Sequence, residues 1–290
     1  MYSPLQVLHS LAPIRPHLHA NFSPRTAPVL TVDSGDTVCF ATPDVGWGLE
    51  PPNSPTASRR KVEPRDPIAD NGPCLCGPIA VRGSRPGDTL EVAIEYLRPG
   101  PWGWTYAGRG TSTPALNAAL GVADAPLTLL RWALDQDRAV AMCQTGRVVP
   151  VRPFLGIVGL ASALTSNDVC GWTPRASGGN MDCRELVAGS TLFLPVMAEG
   201  ALLSVGDGHA AQGDGELSGT AIECAMEEAR LRLTIRRDLA VTSPRAKTPE
   251  GWVTMAFAHD LDTAAASAAS SMLDLMVELL SVTRPEALAL

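Results

Sequence analysis

The chain has little positive charge and no long hydrophobic run. Lysine and arginine total 23 residues against 30 acidic ones, and the net charge of −7 leaves no basic field for nucleic acid or an anionic membrane surface. The sequence shows no run of about 18 apolar residues that could span a membrane, and its N-terminus lacks the apolar core of a signal peptide. We therefore expect a cytoplasmic protein without nucleic-acid or membrane partners.

Paired cysteines and nucleophile motifs are also missing. The seven cysteines are scattered and form no C-x-x-C pair, which argues against a structural zinc cluster or a disulfide framework. No G-x-S-x-G motif occurs, and the only lysines, Lys61 and Lys247, make a serine–lysine arrangement unfavourable. One nucleophilic alternative stays open, in which Cys170 or Cys183 attacks the substrate.

Glycine and proline are abundant, at 26 and 25 residues, which indicates many turns and short strands. Turn sequences at 33–36 (DSGD) and 85–88 (RPGD) separate apolar segments. Residues 262–280 instead repeat methionine and leucine at helical spacing, as a packing face does. The sequence predicts a mainly β fold (α+β), with a β-sandwich or barrel-like core and a C-terminal helix packed on it. We expect one domain over 1–290, or two closely packed β subdomains at about 1–150 and 151–290.

Candidate chemistry is concentrated in residues 177–223. Two apolar runs there are predicted strands, and the second leads into Asp207 and His209, which a two-residue pleat places on one face. If the chain then forms a simple hairpin returning from Glu216, that carboxylate faces His209 across it. One imidazole among several carboxylates suits a divalent metal ion. The alternative is a purely polar turn, since glycine and aspartate favour turns for backbone reasons.

Several blocks resemble one known family in the order in which they occur. They are HLHANFSPRTAPVLTVDSGDTV, CGPIAVRGSRPGDTLEVAI, RPFLGIVGLA, GGNMD, SVGDGHAAQGDGE and GTAIE. Together they are similar to the acetamidase/formamidase family of metal-dependent enzymes, which hydrolyse formamide, acetamide and related small amides. The resemblance covers nearly the whole chain. It implies hydrolysis of small linear aliphatic amides to a carboxylic acid and ammonia, and an assembly of two or more copies, with a homodimer expected.

Candidate site residues follow from the residues and the resemblance together. We expect Asp182 and His209 to bind the metal, and the resemblance adds His19 as a third ligand. Glu216 is the candidate general base, and Asp207 is either a further ligand or the residue that orients His209. The side-chain amides of Asn180 and Gln212 are candidates for holding the substrate amide. Zinc is the expected metal, with Ca²⁺ or Mg²⁺ as alternatives.

Two departures from the family pattern keep a second hypothesis open. Family members often carry a histidine just before the GPI segment, where this chain has the sequence NGPC at 71–74. Asp70, Cys74 and Cys76 are candidate replacements for it. The chain also stops at Leu290, where family members usually continue into another strand. The alternative function is therefore a catalytically weakened, metal-containing protein of the same fold that binds a small molecule.

Overall fold

A computed structural model describes residues 6–163 and 168–290, and its regular structure is mostly strand. This confirms the predicted mainly β class. Residues 165–167 of the segment expected to lead towards Asp182 lie outside the described residues. The strands are β1 (Leu8–Leu11), β2 (Leu18–His19), β3 (Asn21–Phe22), β4 (Leu30–Val32), β5 (Thr37–Thr42), β6 (Leu75–Val81), β7 (Thr89–Ala107), β8 (Thr128–Asp135), β9 (Val140–Cys143), β10 (Val148–Pro150), β11 (Phe154–Leu160), β12 (Val169–Cys170), β13 (Gly178–Asn180), β14 (Thr191–Pro195), β15 (Leu203–His209), β16 (Glu223–Arg236), β17 (Arg245–Thr248) and β18 (Gly251–Thr254). The helices are α1 (Pro114–Ala119), α2 (Leu261–Leu280) and α3 (Arg284–Ala289), and a 3₁₀ turn spans Arg15–His17.

In the described part of the chain, sixteen strands join one large sheet, while β3 and β12 pair separately. The main path runs β10-β9-β8-β7-β16-β15-β11-β13. The long strands β7 and β16 pair antiparallel along most of their length. Leu90, Val92 and Ile94 alternate with less buried neighbours on β7, and this two-residue period directs one face of the sheet into the core. Whether the chain divides into one domain or two stays a prediction.

The strand that leads to the candidate site, β15, lies in the interior of this sheet. It pairs with β11 along one edge, and with β6 and then β16 along the other. All seven residues of β15 are buried, and so are all seven of β11. Strands covered on both faces and both edges hold their side chains firmly. The residues at the end of β15 are therefore fixed by the core rather than by a surface loop.

Helix α2 packs against β18, and part of its predicted packing face is buried. Of the methionines and leucines of that face, Leu275 is buried, Met272 and Met276 are half-buried and Leu279 is 50% exposed. The helix starts at Leu261 with Asp260 as its N-cap. By length and composition it could cross a membrane, with a mean hydropathy of 1.2 and 6% of that window buried. One such helix is weak evidence for a membrane span.

The long loop after β5 is anchored by a buried ion pair that the sequence did not indicate. The basic cluster at 59–61 has the composition of a solvated surface, to which the sequence assigns no role. The Asp44 carboxylate is fully buried and accepts hydrogen bonds from Gly48 N and Trp104 Nε1, each at 2.7 Å. It also pairs with Arg59, whose guanidinium lies 5.4 Å from the Trp104 ring centroid. Arg59 thus ties the loop to β7, because a buried carboxylate requires a partner.

The apolar pattern over 248–257 predicts a single strand, and the structure differs from this prediction. The chain there forms a hairpin, in which β17 pairs antiparallel with β18. Pro249 and Glu250 lie in the turn, and Thr248 Oγ1 accepts the backbone N–H groups of Glu250 and Gly251. Proline cannot donate to a strand ladder, so the run breaks at this position.

Candidate metal centre

Four carboxylates and one imidazole meet at the end of β15. His209 Nε2 lies 3.1 Å from Asp207 Oδ1, 3.5 Å from Glu223 Oε2 and 3.6 Å from Glu216 Oε1. Two sets of three residues, both containing His209, have ligand atoms within 4.8 Å of one another. These sets are Asp182, His209 and Glu216, and Asp207, His209 and Glu223. We call the five residues the carboxylate–imidazole cluster.

The backbone holds two members of this cluster in unusual conformations. Asp207 has a φ of 59° and Asp182 a φ of 45°, both in the left-handed region that favours glycine. The backbone N–H groups of Met181 and Asp182 both donate to Gly156 O, at 3.0 and 3.2 Å. This carbonyl clamps the turn that presents Asp182. Such strained residues persist where the surrounding structure fixes them, and they are concentrated at functional sites.

Glu216 and Glu223 reach the cluster by a route that the predicted simple hairpin misses. The returning strand begins at Glu223, which stands directly opposite His209, whereas Glu216 lies in the loop at 210–222. The expected pairing of His209 with Glu216 across a ladder is therefore wrong. Glu216 folds back from the loop and still comes within 3.6 Å of the imidazole. Our sequence analysis assigned no role to Glu223, although it ends the GTAIE block.

Unpartnered polar atoms are concentrated in the cluster. Among the described residues, four of its atoms are buried without a hydrogen-bond partner: Asp182 Oδ1, His209 Nδ1, Glu216 Oε1 and Glu223 Oε2. Leaving one such buried atom unpaired costs about 1–3 kcal/mol of folding free energy. Four of them in one place therefore point to a bound cation. Carboxylate oxygens with an imidazole nitrogen are donors that zinc and harder divalent ions accept. The residues present therefore fit a divalent metal.

The electrostatics of the cluster agree with this reading. Burial, helped by the charges of Asp207 and Glu216, raises the pKa of Asp182 to about 8. Burial also raises the pKa of Glu216 and Glu223, although His209 opposes the shift. For His209, burial acts to lower the pKa, but the charges of Asp207 and Glu223 raise it well above its usual value. Several carboxylates thus hold protons that a metal ion would displace.

We expect the metal-stripped protein to lose stability as the pH rises from about 4 to about 8. The pKa of Asp182 is about 8 in the fold against 3.8 as its ordinary value, so the stabilisation is complete below about pH 4 and lost as the pH passes 8. The raised pKa values of His209 and Glu216 act with the same sign. In the presence of chelator, the thermal midpoint of unfolding should be several degrees lower at about pH 9 than at about pH 6. Asp182→Asn should flatten this dependence, and an equal or higher midpoint at alkaline pH contradicts it.

Gly156 leaves the space in which the cluster side chains meet. A Cβ at this position would lie 2.6 Å from Asp207 Oδ2, 2.7 Å from His209 Cε1 and 2.8 Å from Asp182 Oδ1. All three distances are too short for real contacts. The sequence analysis did not single out Gly156, because a glycine inside an apolar strand shows no sign of what it faces.

Replacing Gly156 with alanine should therefore disturb the cluster while sparing the fold. The atoms that must move are the ends of side chains rather than backbone atoms. Metal bound per chain should fall by at least about half, because coordination tolerates only small displacements of its ligands. Gly100→Ala, on strand β7, is the matched control, since its Cβ would meet Ala225 O at an ordinary 3.5 Å. Metal content and circular dichroism would be measured for both, and equal metal content contradicts the expectation.

His19 is not brought into either set of ligand atoms. Its Nδ1 is 2.8 Å from Asn21 O and its Nε2 is 3.0 Å from Ser204 Oγ, so both ring nitrogens have protein partners. Burial lowers the pKa of His19 to about 4. Its assignment as a third metal ligand stays a prediction. Of the candidate replacements for the family histidine, Asp70 pairs with Arg15 at 2.5 Å, and neither set includes Asp70, Cys74 or Cys76.

The two candidate amide-holding residues both present free acceptors. Asn180 Oδ1 and Gln212 Oε1 are buried without a partner among the described residues. Gln212 Nε2 donates to Asp182 O at 2.9 Å, which leaves the carbonyl end of its side chain free. The alternative cysteine nucleophile is disfavoured at Cys183, because burial raises the pKa of its thiol to about 12.

Comparison with known proteins agrees with this site and fold. Residues 169–250 match the model of the Acetamidase/Formamidase family. An acetamidase of Mycolicibacterium smegmatis is 30% identical over 208 residues, a match that spans 51% of this chain and 50% of the relative's length. The crystal structure of an acetamidase from Yersinia enterocolitica has a TM-score of 0.82 and 27% identity, covering 99% of this chain and 86% of that one. An acetamidase from Bacillus halodurans gives a TM-score of 0.80, with 27% identity and coverage of 96% and 88%.

These matches define the class of protein. The mainly β fold is that of solved acetamidases over nearly the whole chain. The family model covers strands β12 to β17 with the intervening loops, and these hold every member of the carboxylate–imidazole cluster. The chain is therefore similar to the Acetamidase/Formamidase family in its fold and over residues 169–250.

Proposed function

We propose that this chain hydrolyses small linear aliphatic amides, of the formamide and acetamide type, to a carboxylic acid and ammonia with the help of a divalent metal. The observation that carries the proposal is the group of unpartnered metal-ligand atoms in the cluster. Buried, free carbonyl oxygens of Asn180 and Gln212 accompany it, and the Gln212 side chain donates to Asp182 O. Relatives that carry the names acetamidase and formamidase support it. We also expect a cytoplasmic homodimer.

The cluster supplies the residues that would hold the metal. Asp182 and His209 are the proposed ligands and His19 is the expected third, while Glu216, which lies in the same set as Asp182 and His209, is assigned to proton transfer. When bound, a divalent metal supplies the Lewis acidity that activates water and polarises an amide carbonyl. Zinc is the proposed ion, and Ca²⁺ and Mg²⁺ are the alternatives, because the donor set is one nitrogen among oxygens.

Glu216 is the residue that we assign to proton transfer. Its Oε1 is buried without a partner among the described residues, and burial raises its pKa above the ordinary value of a glutamate. A base with such a pKa can take a proton from the water that attacks the amide carbon. It then returns that proton to the nitrogen as the carbon–nitrogen bond breaks, so that ammonia leaves and the carboxylate remains.

Asp207 positions the imidazole rather than acting on the substrate. Its Oδ1 lies 3.1 Å from His209 Nε2, and both side chains are buried. A carboxylate beside one ring nitrogen fixes the orientation of the imidazole ring. His209 Nδ1 is the ring atom without a protein partner.

Asn180 and Gln212 are placed to bind the amide group of the substrate. Each offers a free carbonyl oxygen, and a primary amide has two N–H bonds to donate. The four carboxylates disfavour anionic substrates unless a metal neutralises them, which favours uncharged amides.

The proposal is tested by supplying purified protein with zinc and acetamide. Ammonia and acetate should form in equal amounts, and formamide and propionamide should also be hydrolysed. Binding of acetamide without release of ammonia would favour the second hypothesis, a weakened binding protein of the same fold. Insensitivity of turnover to iodoacetamide would separate this mechanism from a cysteine nucleophile.

A further inference from the structure

A cavity of about 480 Å³ lies between the cluster and helix α2. Asp182, a member of the cluster, is part of its wall. A second cavity of about 390 Å³ beside Gln212 is lined by none of the five cluster residues. Of these two cavities, the one next to α2 borders a member of the cluster, and the other borders Gln212.

The wall of this cavity is largely apolar. Its side chains come from the turn around Asp182, from the segment after β18 and from one face of α2; they include Met181, Met255, Phe257, Ala264 and Ala268. Ala264 and Ala268 are four residues apart, so they stand one above the other on the helix and leave room for a ligand. Glu185 and Asp214 also border the cavity, and the Asp214 side chain is 95% exposed, at the solvent side.

The size of the cavity exceeds what the simplest substrates need. Pockets of about 300–1,000 Å³ enclose drug-sized molecules, whereas acetamide has only about four heavy atoms. An acyl group that extends from the cluster along α2 would bury apolar carbons against Met255 and Phe257. Each methylene that is removed from water there strengthens binding by up to about 4-fold.

We propose that this cavity receives the acyl chain of the substrate. The protein should therefore prefer amides with uncharged acyl groups of about five or six carbons over acetamide. This inference rests on the proposed amide hydrolysis and names its substrate class. Ala264 and Ala268 set the length of the acyl chain that is accepted, and the apolar wall disfavours acyl groups that end in a carboxylate.

The test in the unaltered, zinc-loaded protein compares acetamide, hexanamide and adipamate, which matches hexanamide in length but ends in a carboxylate. Hydrolysis is measured by ammonia release. The kcat/KM for hexanamide should be at least about 10-fold higher than that for acetamide, as expected for several buried methylenes. Adipamate should fall well below hexanamide. Equal or lower kcat/KM for hexanamide than for acetamide overturns the proposal.

Variants on α2 locate the effect. Ala264→Leu and Ala268→Leu each fill part of the cavity, and leucine is a good helix former, so the helix should persist. Each should lower the ratio of kcat/KM for hexanamide to that for acetamide by about 10-fold. Ala266→Leu, an exposed position outside the cavity lining, is the matched control and should keep the original ratio. An unchanged ratio in both lining variants contradicts the proposal.

Binding measured by calorimetry separates this inference from the proposed reaction. Hexanamide that binds, and binds more weakly to Ala264→Leu, supports the cavity even if no ammonia forms, which would contradict the hydrolysis alone. Hydrolysis of short amides without tighter binding of hexanamide contradicts the cavity alone. A change in oligomeric state on Ala264→Leu, with an unchanged ratio, would show that this face of α2 contacts a second copy instead.

Discussion

Replacing His209 with alanine should remove most of the bound metal while the β fold is retained. His209 is the one residue shared by both sets of candidate ligands, and its side chain is fully buried. Losing it leaves the carboxylates of Asp207 and Glu223 facing one another without the imidazole between them. Their mutual repulsion then favours protonation over metal binding. Metal per chain should fall at least about 10-fold, as measured by mass spectrometry on protein dialysed against metal-free buffer.

Two further histidine variants give this result its controls. His17→Ala removes an exposed imidazole whose Nδ1 bonds to Ala12 O, and it should leave the metal content unchanged. His19→Ala tests the third predicted ligand, and a comparable loss of metal would establish that role. Full metal occupancy in His209→Ala would remove His209 from the metal centre.

Replacing Glu216 with glutamine should lower amide hydrolysis by at least about 100-fold while the metal stays bound. Glutamine keeps the size and hydrogen-bonding capacity of the side chain but cannot accept a proton at neutral pH. The raised pKa of Glu216, which is caused first by burial, suits a base that works near neutrality. Rates of ammonia release and metal content would be measured on the same preparation.

The neighbouring carboxylates decide how an unexpected result is interpreted. Loss of metal in Glu216→Gln would make Glu216 a ligand, and the base would then be Asp207 or Glu223. Asp214, the other carboxylate of the loop, pairs with Arg184 at 3.0 Å and is almost fully exposed, so it is a poor candidate. Glu227→Gln, at a half-exposed ion pair with Arg98, is the matched surface control.

The core of the site could be predicted from the sequence because it depends on local periodicity. Asp207 and His209 are two residues apart on a strand, and a pleat must place them on the same face. The mainly β class follows in the same way from turn residues between short apolar runs. The resemblance to a family added His19, which spacing alone could not connect to the other candidate ligands.

The rest depended on long-range geometry that no local pattern shows. Glu223 meets His209 because the loop at 210–222 is longer than a hairpin turn, and loop length is not visible in glycine-rich sequence. Gly156 matters through the side chains of another strand, and Arg59 through a carboxylate fifteen residues away. The exposure of α2 is likewise not visible in its sequence, which has the periodicity of a packed helix.

The central claim is that amide hydrolysis depends on a divalent metal in the carboxylate–imidazole cluster. Its most direct test is ammonia release from acetamide, measured on one preparation before chelation, after removal of the metal and after zinc is added back. Activity should fall at least about 100-fold when the metal is removed, and it should return when about one zinc per chain is bound. Ammonia release that persists at its full rate in metal-free protein would contradict it.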